Sequence, residues 1–194
     1  MLISSTDKNF MVPVGGSLVY SPNKKSIVDK VNRMYPGRAS GSPIVDLFIT
    51  LLSLGETQFK ALLQERKSNY KFLSEELQKW CEKHNEKMLK IPNNKISLAV
   101  NISTLFEKSL RPNNLTPSFL GSYLFSRRVS GVRIVQASAQ ETSVAGIGFK
   151  NYGSHCDSYA WLPYFNAAAA VGQTKEEISI FMAKLDEAYS KLLA

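Results

Sequence analysis

Three basic side chains stand in settings that could do chemistry. Lys8 follows Ser4-Ser5-Thr6-Asp7 and precedes the apolar stretch Phe10 to Tyr20, which contains Gly15-Gly16. A polar turn leading into a rigid strand suits Schiff-base chemistry, because it holds the amine against a carbonyl carbon. The small residues nearby let backbone approach a phosphate. An ordinary lysine is solvated and inert, so the composition permits this role without requiring it. Ser5-Thr-Asp-Lys8 also fits the S-x-x-K of serine acyl-enzymes, but the S-D-N and K-T-G that accompany it occur nowhere in the chain.

Arg38 lies in Tyr35-Pro-Gly-Arg-Ala-Ser40. A guanidinium on a glycine-containing loop beside a hydroxyl can grip a phosphate through two parallel hydrogen bonds. A turn arginine is as readily a surface charge. Arg127 stands next to Arg128, with Arg133 nearby, in Leu124-Phe-Ser-Arg-Arg-Val-Ser-Gly-Val-Arg133. Adjacent arginines beside a glycine turn can bind the phosphate of a nucleic-acid end and donate in pairs to a guanine edge. They can equally form a solvated basic turn, and residue type leaves both open. His155-Cys156 pairs two metal-ligating types, but His84 falls on a long helix and no carboxylate cluster has ligand spacing, so no metal site is expected. Gly146-Ile-Gly148 lacks the third glycine of a dinucleotide fingerprint.

These residues need a folded chain to position them. With 194 residues and 44% hydrophobic content, one good core is affordable and disorder is excluded. No apolar run is long enough for a membrane span, and no secretion signal is expected at the amino terminus. Two widely spaced cysteines, Cys81 and Cys156, read as reduced thiols rather than a disulfide framework. The formal net charge of +8 favours an anionic partner, of which nucleic acid is the usual kind.

Periodicity predicts a strand or two short strands over Phe10–Tyr20, with Pro13 and Gly15-Gly16 marking an edge or bulge. A helix is expected over Ser26–Met34, then a loop to Pro43. Ile44–Leu54 reads as a mostly buried helix, followed by a long amphipathic one from about Glu56 to Lys87. Strands are expected over Ile96–Leu105 and Val132–Val135, with a short helix opened by Pro117. Gly146-Ile-Gly148 falls in a Gly/Ser-rich connection. Two helices, around Tyr159–Val171 and Lys175–Leu193, close the chain. The order is α/β at the start and mixed α+β afterwards.

Thr6-Asp-Lys-Asn-Phe-Met-Val-Pro-Val-Gly-Gly16, Met34-Tyr-Pro-Gly-Arg-Ala-Ser40 and Leu51-Leu-Ser-Leu-Gly55 closely resemble the O-phosphoseryl-tRNA(Sec) selenium transferase family. Leu124–Arg133 and Tyr164-Phe-Asn-Ala-Ala-Ala169 fit it too, so the resemblance runs almost end to end. It implies the α/β fold of the fold-type-I PLP-dependent transferases, PLP being pyridoxal 5'-phosphate. Residues 1–54 would end the PLP-binding large domain, and residues 55–194 would form the linking long helix and the C-terminal small α+β domain. The resemblance implies PLP as cofactor, bonded by Lys8. It implies Arg38 on the phosphate of phosphoserine and Arg127 at the acceptor end of the tRNA, at the discriminator base. No role carries over to Arg128.

The implied reaction converts O-phosphoseryl-tRNA(Sec) to selenocysteinyl-tRNA(Sec): phosphate leaves the β-carbon and selenophosphate supplies selenium. The implied partners are tRNA(Sec) carrying phosphoserine, selenophosphate and further copies of the chain, the full-length family being tetrameric. The implied setting is cytoplasmic, away from any membrane. In this fold the carboxylate for the pyridine nitrogen, the ring-stacking residue and a phosphate loop precede the lysine, whereas here seven residues do. The chain is therefore expected to be a carboxy-terminal fragment, inactive alone. Two other readings remain: a non-catalytic basic tRNA-binding module, and another PLP enzyme acting on phosphoseryl-tRNA, such as the one that makes cysteine.

Overall fold

The computed structural model describes residues 1–35, 37–136, 141–150 and 162–194, apart from the side chains of Lys25 and Lys150. The chain divides into two units, Met1–Leu63 and Gln64–Ala194. In the first, β1 (Leu2–Ser5) is followed by a single helical turn, α1 (Thr6–Phe10), and then by β2 (Ser17–Tyr20). The two strands pair antiparallel, with Leu2 opposite Tyr20 and Ser5 opposite Ser17.

The strand expected from Phe10 onward is thus confined to Ser17–Tyr20. Met11 closes α1 in the left-handed region, φ 54° and ψ 41°. Pro13 has no N–H to give a ladder, and pairing resumes only past Gly15-Gly16. Gly16 is needed there, because a Cβ would fall 2.6 Å from Thr6 Oγ1 and 2.8 Å from the Cβ of Pro43.

The helix α2 (Lys25–Met34) follows as the spacing predicts. The next helical stretch, α3 (Ser42–His84), is interrupted at Gly55, whose φ of 64° and ψ of 174° are not helical. The two helices expected on either side of residue 55 meet at that glycine. The first of them is not buried as expected. Ile44, Val45, Phe48, Ile49 and Leu52 are all more than half exposed, and only Thr6 and Val12 are buried among the described residues of this unit. An apolar run reports a face that favours cover, and does not say which chain covers it.

Beyond α3 come β3 (Ser97–Asn101), the short α4 (Ser103–Leu105) with a π-helical turn Phe106–Leu110, and α5 (Ser118–Phe125). Then follow β4 (Arg133–Val135), β5 (Glu141–Val144), β6 (Ile147–Lys150), β7 (Tyr164–Ala168) and α6 (Lys175–Leu193). β7 is the centre of a three-stranded antiparallel sheet, flanked by β3 and β4. Asn101 faces Tyr164 on one side and Val135 faces Tyr164 on the other.

The helix expected around Tyr159–Val171 is therefore corrected, over its described part, to the strand Tyr164–Ala168. Four alanines in a row favour helix locally, but two partner strands complete the hydrogen bonding of this segment, and tertiary pairing overrides the preference. The glycines at 146 and 148 belong to a hairpin, β5–β6, whose two-residue turn places Ala145 at φ 52° and Gly146 at φ 79°. Positive φ at both positions matches the turn that follows the twist of paired strands.

The core of the second unit is laid against the sheet by helical spacing. Leu73, Leu77 and Trp80 come from α3, Leu120 and Leu124 from α5, and Ile178, Leu185 and Tyr189 from α6; all are at most 4% exposed. A capping box starts α6: Glu177 N donates to Thr174 Oγ1 at 3.1 Å, and Thr174 N donates to the Glu177 carboxylate at 2.8 Å. Among the described residues no helix is long and apolar enough to cross a membrane.

Candidate functional site

Lys8 stands on a turn fixed from below. Thr6, 4% exposed, donates both its N–H and its hydroxyl to the Gly16 carbonyl at 3.0 Å. Asn9 Nδ2 donates to the Ser5 carbonyl at 2.6 Å. Asp7 accepts from the Ser5 hydroxyl through one carboxylate oxygen and from Lys8 Nζ through the other, the latter at 2.8 Å. The Asp7 side chain is 14% exposed and that of Lys8 76%. A buried base thus carries a projecting amine. The support is helical rather than a turn entering a strand directly, and β1–β2 holds it through Thr6. Of what PLP requires, these residues fit the covalent anchor. Asp7 is held by Ser5 and Lys8 and is not presented to a ring nitrogen.

Arg38 is exposed in the loop between α2 and α3. The hydroxyls after it serve the helix start: Ser42 N donates to Ser40 Oγ at 3.2 Å, and Ser42 Oγ donates to the Asp46 carboxylate at 3.3 Å. Pro43 lies against Gly16, the residue that anchors Thr6. The ends of the Lys8 turn and of the Arg38 loop therefore meet at one glycine.

Arg127 belongs to the second unit, just past the end of α5. Its guanidinium carbon lies 3.5 Å from the centroid of the Tyr123 ring. Nη1 donates to the Tyr123 carbonyl at 3.1 Å and to Ser126 Oγ at 3.4 Å. Nε is 3.8 Å from Glu187 Oε1 on α6. Glu187 also receives Lys191 Nζ at 3.0 Å, and its carboxyl is held below the usual range chiefly by Lys191, with Arg127 adding to the effect. The arginine is oriented before anything reaches it. A cation over an exposed aromatic face is worth about 0.5–1 kcal/mol.

Arg128 closes α5. Its N–H donates to the Phe125 carbonyl at 2.9 Å, and Val129 N–H donates to the Leu124 carbonyl at 3.1 Å. These are the two bonds of a Schellman cap, whose left-handed residue is ordinarily glycine. Arg128 takes that place at φ 61°, at a cost of roughly 1–2 kcal/mol for a residue with a Cβ. Arg133 lies on β4 opposite Asn166.

Beneath Arg127, α6 is fixed by a buried carboxylate. Glu86, 7% exposed, accepts from the Tyr189 hydroxyl at 2.6 Å, from Leu105 N at 3.0 Å and from Thr104 N at 3.3 Å. Burial first, and then the Glu86 hydrogen bond and charge, raise the Tyr189 hydroxyl well above its ordinary pKa. Burial, with Glu86 and Glu82, pushes the Cys81 thiol up to about 12. On the other side of α6, Asp186 receives Lys83 Nζ at 2.7 Å and shares a 2.6 Å hydrogen bond with His84 Nε2. Burial raises the Asp186 carboxyl, but these partners outweigh it and leave it lowered.

Lys8 and Arg38 lie in the first unit and Arg127 in the second. Tyr123, one helical turn before Arg127, was findable from the four-residue spacing; Glu187 had no local signal. His155 and Cys156 lie outside the described residues, and among the described residues no group of three or more His, Cys, Asp or Glu could hold a metal ion.

A family model for O-phosphoseryl-tRNA(Sec) selenium transferase matches residues 1–190. An O-phosphoseryl-tRNA(Sec) selenium transferase from Dictyostelium discoideum is 43% identical, over 97% of this chain and 41% of its own length. Its namesake from Caenorhabditis briggsae is 35% identical, over 99% of this chain and 38% of its own. The crystal structure of an archaeal O-phosphoseryl-tRNA(Sec) selenium transferase superposes with a TM-score of 0.71 at 26% identity, covering 95% of this chain and 37% of that one. The chain spans about two fifths of the length of these relatives.

Proposed function

The chain belongs to the O-phosphoseryl-tRNA(Sec) selenium transferase family, and from that membership we propose that it supplies the carboxy-terminal part of a PLP-dependent enzyme converting O-phosphoseryl-tRNA(Sec) to selenocysteinyl-tRNA(Sec). The observation that carries the reading is the Lys8 turn, a projecting amine on a base pinned by Thr6 and Gly16. Residues 1–54 complete the cofactor-binding large domain, and residues 55–194 form the linking helix and the small domain. The parent acts in the cytoplasm as a homo-oligomer, with selenophosphate as selenium donor.

PLP supplies an electron sink for loss of the Cα proton and of the β-phosphate. Lys8 Nζ anchors the cofactor, and it takes up and returns the proton at Cα. Arg38 holds the departing phosphate through charge-assisted hydrogen bonds. Arg127 receives the acceptor end of the tRNA at its discriminator base. Its orientation by Tyr123 and Glu187 reduces the entropy lost when a long side chain is immobilised.

The test joins the amino-terminal part of the Dictyostelium relative to this chain and follows turnover of phosphoseryl-tRNA(Sec) with selenophosphate. Turnover by the chimera, abolished in Lys8→Ala without loss of fold, is the expected result. An unchanged kcat in Lys8→Ala overturns the assignment. Tight tRNA binding by the chain together with an inert chimera favours a non-catalytic RNA-binding module.

A further inference from the structure

Beside the end of α5, the second unit has a cavity of about 630 Å³ that none of the roles above uses. Val129, Val132, Ile180 and Phe181 give it an apolar lining, and Arg128 and Lys184 also face it. Ile180 is 49% exposed, so the apolar lining is open to solvent. Neither cation has an ion pair among the described residues. The carboxylate that lines the cavity, Glu177, is already committed to the cap of α6 through Thr174 N at 2.8 Å. The cavity therefore joins an apolar wall to polar surface and carries net positive charge, two cations against one carboxylate.

The backbone makes Arg128 informative. It occupies the left-handed closing position of α5 at φ 61°, where glycine would form the same turn without strain. The turn itself gives no reason for an arginine. The side chain, which lines the cavity, does.

We infer that this cavity binds one nucleoside monophosphate unit of an RNA strand, the base against Phe181 and the aliphatic lining and the phosphate between Arg128 and Lys184. The inference rests on the reading that the neighbouring Arg127 meets an RNA end. The volume lies within the range of small-molecule sites. A base offers a flat face to stack on an aromatic ring, whichever base it is. A phosphate suits a guanidinium and an ammonium acting together. An inorganic anion would leave the apolar lining wet, and a wholly apolar ligand would leave two cations beside it unsatisfied.

The test titrates AMP into the 194-residue chain and follows the methyl NMR signals of Val129, Val132 and Ile180. Saturable shifts at these methyls are expected, with affinity about tenfold weaker in Arg128→Gly and in Lys184→Gln, the loss of one charge-assisted contact. Arg128→Gly keeps the turn, so its thermal midpoint should not fall. Methyls unmoved at millimolar AMP overturn the inference, as do shifts that persist in the double variant. Inorganic phosphate binding as tightly as AMP, without moving the methyls, also overturns it and leaves a simple anion patch. An RNA hairpin with a single-stranded 3′ end separates the two readings. Unchanged hairpin binding in Arg127→Gln sinks the RNA role of Arg127, whereas unchanged AMP binding in the double variant sinks the cavity alone.

Discussion

Leu77 and Leu52 lie on the same stretch, α3, yet Leu77 is fully buried and Leu52 is 68% exposed. The contrast extends to the units around them. In Gln64–Ala194 the apolar faces of three helices close on a sheet. In Met1–Leu63, Ile44, Phe48 and Leu52 turn similar residue types to solvent. Fully burying such a side chain is worth about 1.5–3 kcal/mol, and the first unit leaves most of that gain unrealised. The chain therefore joins one closed core to one exposed apolar surface.

The largest expected effect tests the closed side of this contrast. Leu77→Ala should lower the stability of the second unit by about 2–5 kcal/mol in urea denaturation followed by tryptophan fluorescence. A loss below about 1 kcal/mol would mean that the core is looser than its burial indicates. Next in size is Glu86→Ala, which removes the acceptor of the Tyr189 hydroxyl and of Leu105 N–H. A loss of about 1–3 kcal/mol is expected by the same measurement, and a neutral result would break the claim that this carboxylate ties α6 to α4.

A pH series sharpens the comparison further. Cys81 holds its proton more tightly folded than unfolded, so its contribution is intact below the ordinary thiol value of 9.0 and is lost as pH climbs toward about 12. Tyr189 shifts in the same direction. The urea midpoint of the second unit should fall across that alkaline window, and Cys81→Ala should flatten the early part of the fall. A midpoint that is flat in the unsubstituted chain would contradict it. The smallest effect belongs to the open side. Phe48→Ser should change stability by no more than about 0.5 kcal/mol while reducing the fluorescence of a hydrophobic dye. If Phe48→Ser unfolds the chain, the first unit has a core that the exposures do not reveal.

What the sequence made legible follows from how local each signal was. The helices α2, α3 and α6 and the strand β4 were readable because the spacing of their apolar residues or their β-branched content marks the element without reference to its distant partners. The glycine at 55 was the boundary between two expected helices, and it is the break in α3. β7 was misread because alanines favour helix, and only strands distant in sequence reveal the pairing. The hairpin β5–β6 was missed because Glu141–Val144 is exposed throughout and has no buried face to give an alternating pattern. Lys8, Arg38 and Arg127 were singled out by residue type and resemblance. The support of each was less visible: Gly16 beneath the Lys8 turn and Glu187 beside Arg127 act across distances in sequence that no short motif spans.

One absent carbon atom at Gly55 decides the course of a 43-residue stretch. Its φ of 64° with ψ of 174° belongs to a region that is essentially glycine's alone, although a Cβ there would meet nothing within 4 Å. The obstacle to alanine is torsional and not steric crowding. An alanine would push the chain to run its hydrogen-bond ladder straight through residue 55, turning every later side chain by roughly 100° per residue about one common axis. Phe59 would swing with it, and Phe10, whose ring stacks on Phe59 at 6.1 Å between centroids, would lose its partner. Phe10 ends the turn that carries Lys8. A glycine far along the chain is thus joined by one pair of stacked rings to the turn that carries the amine.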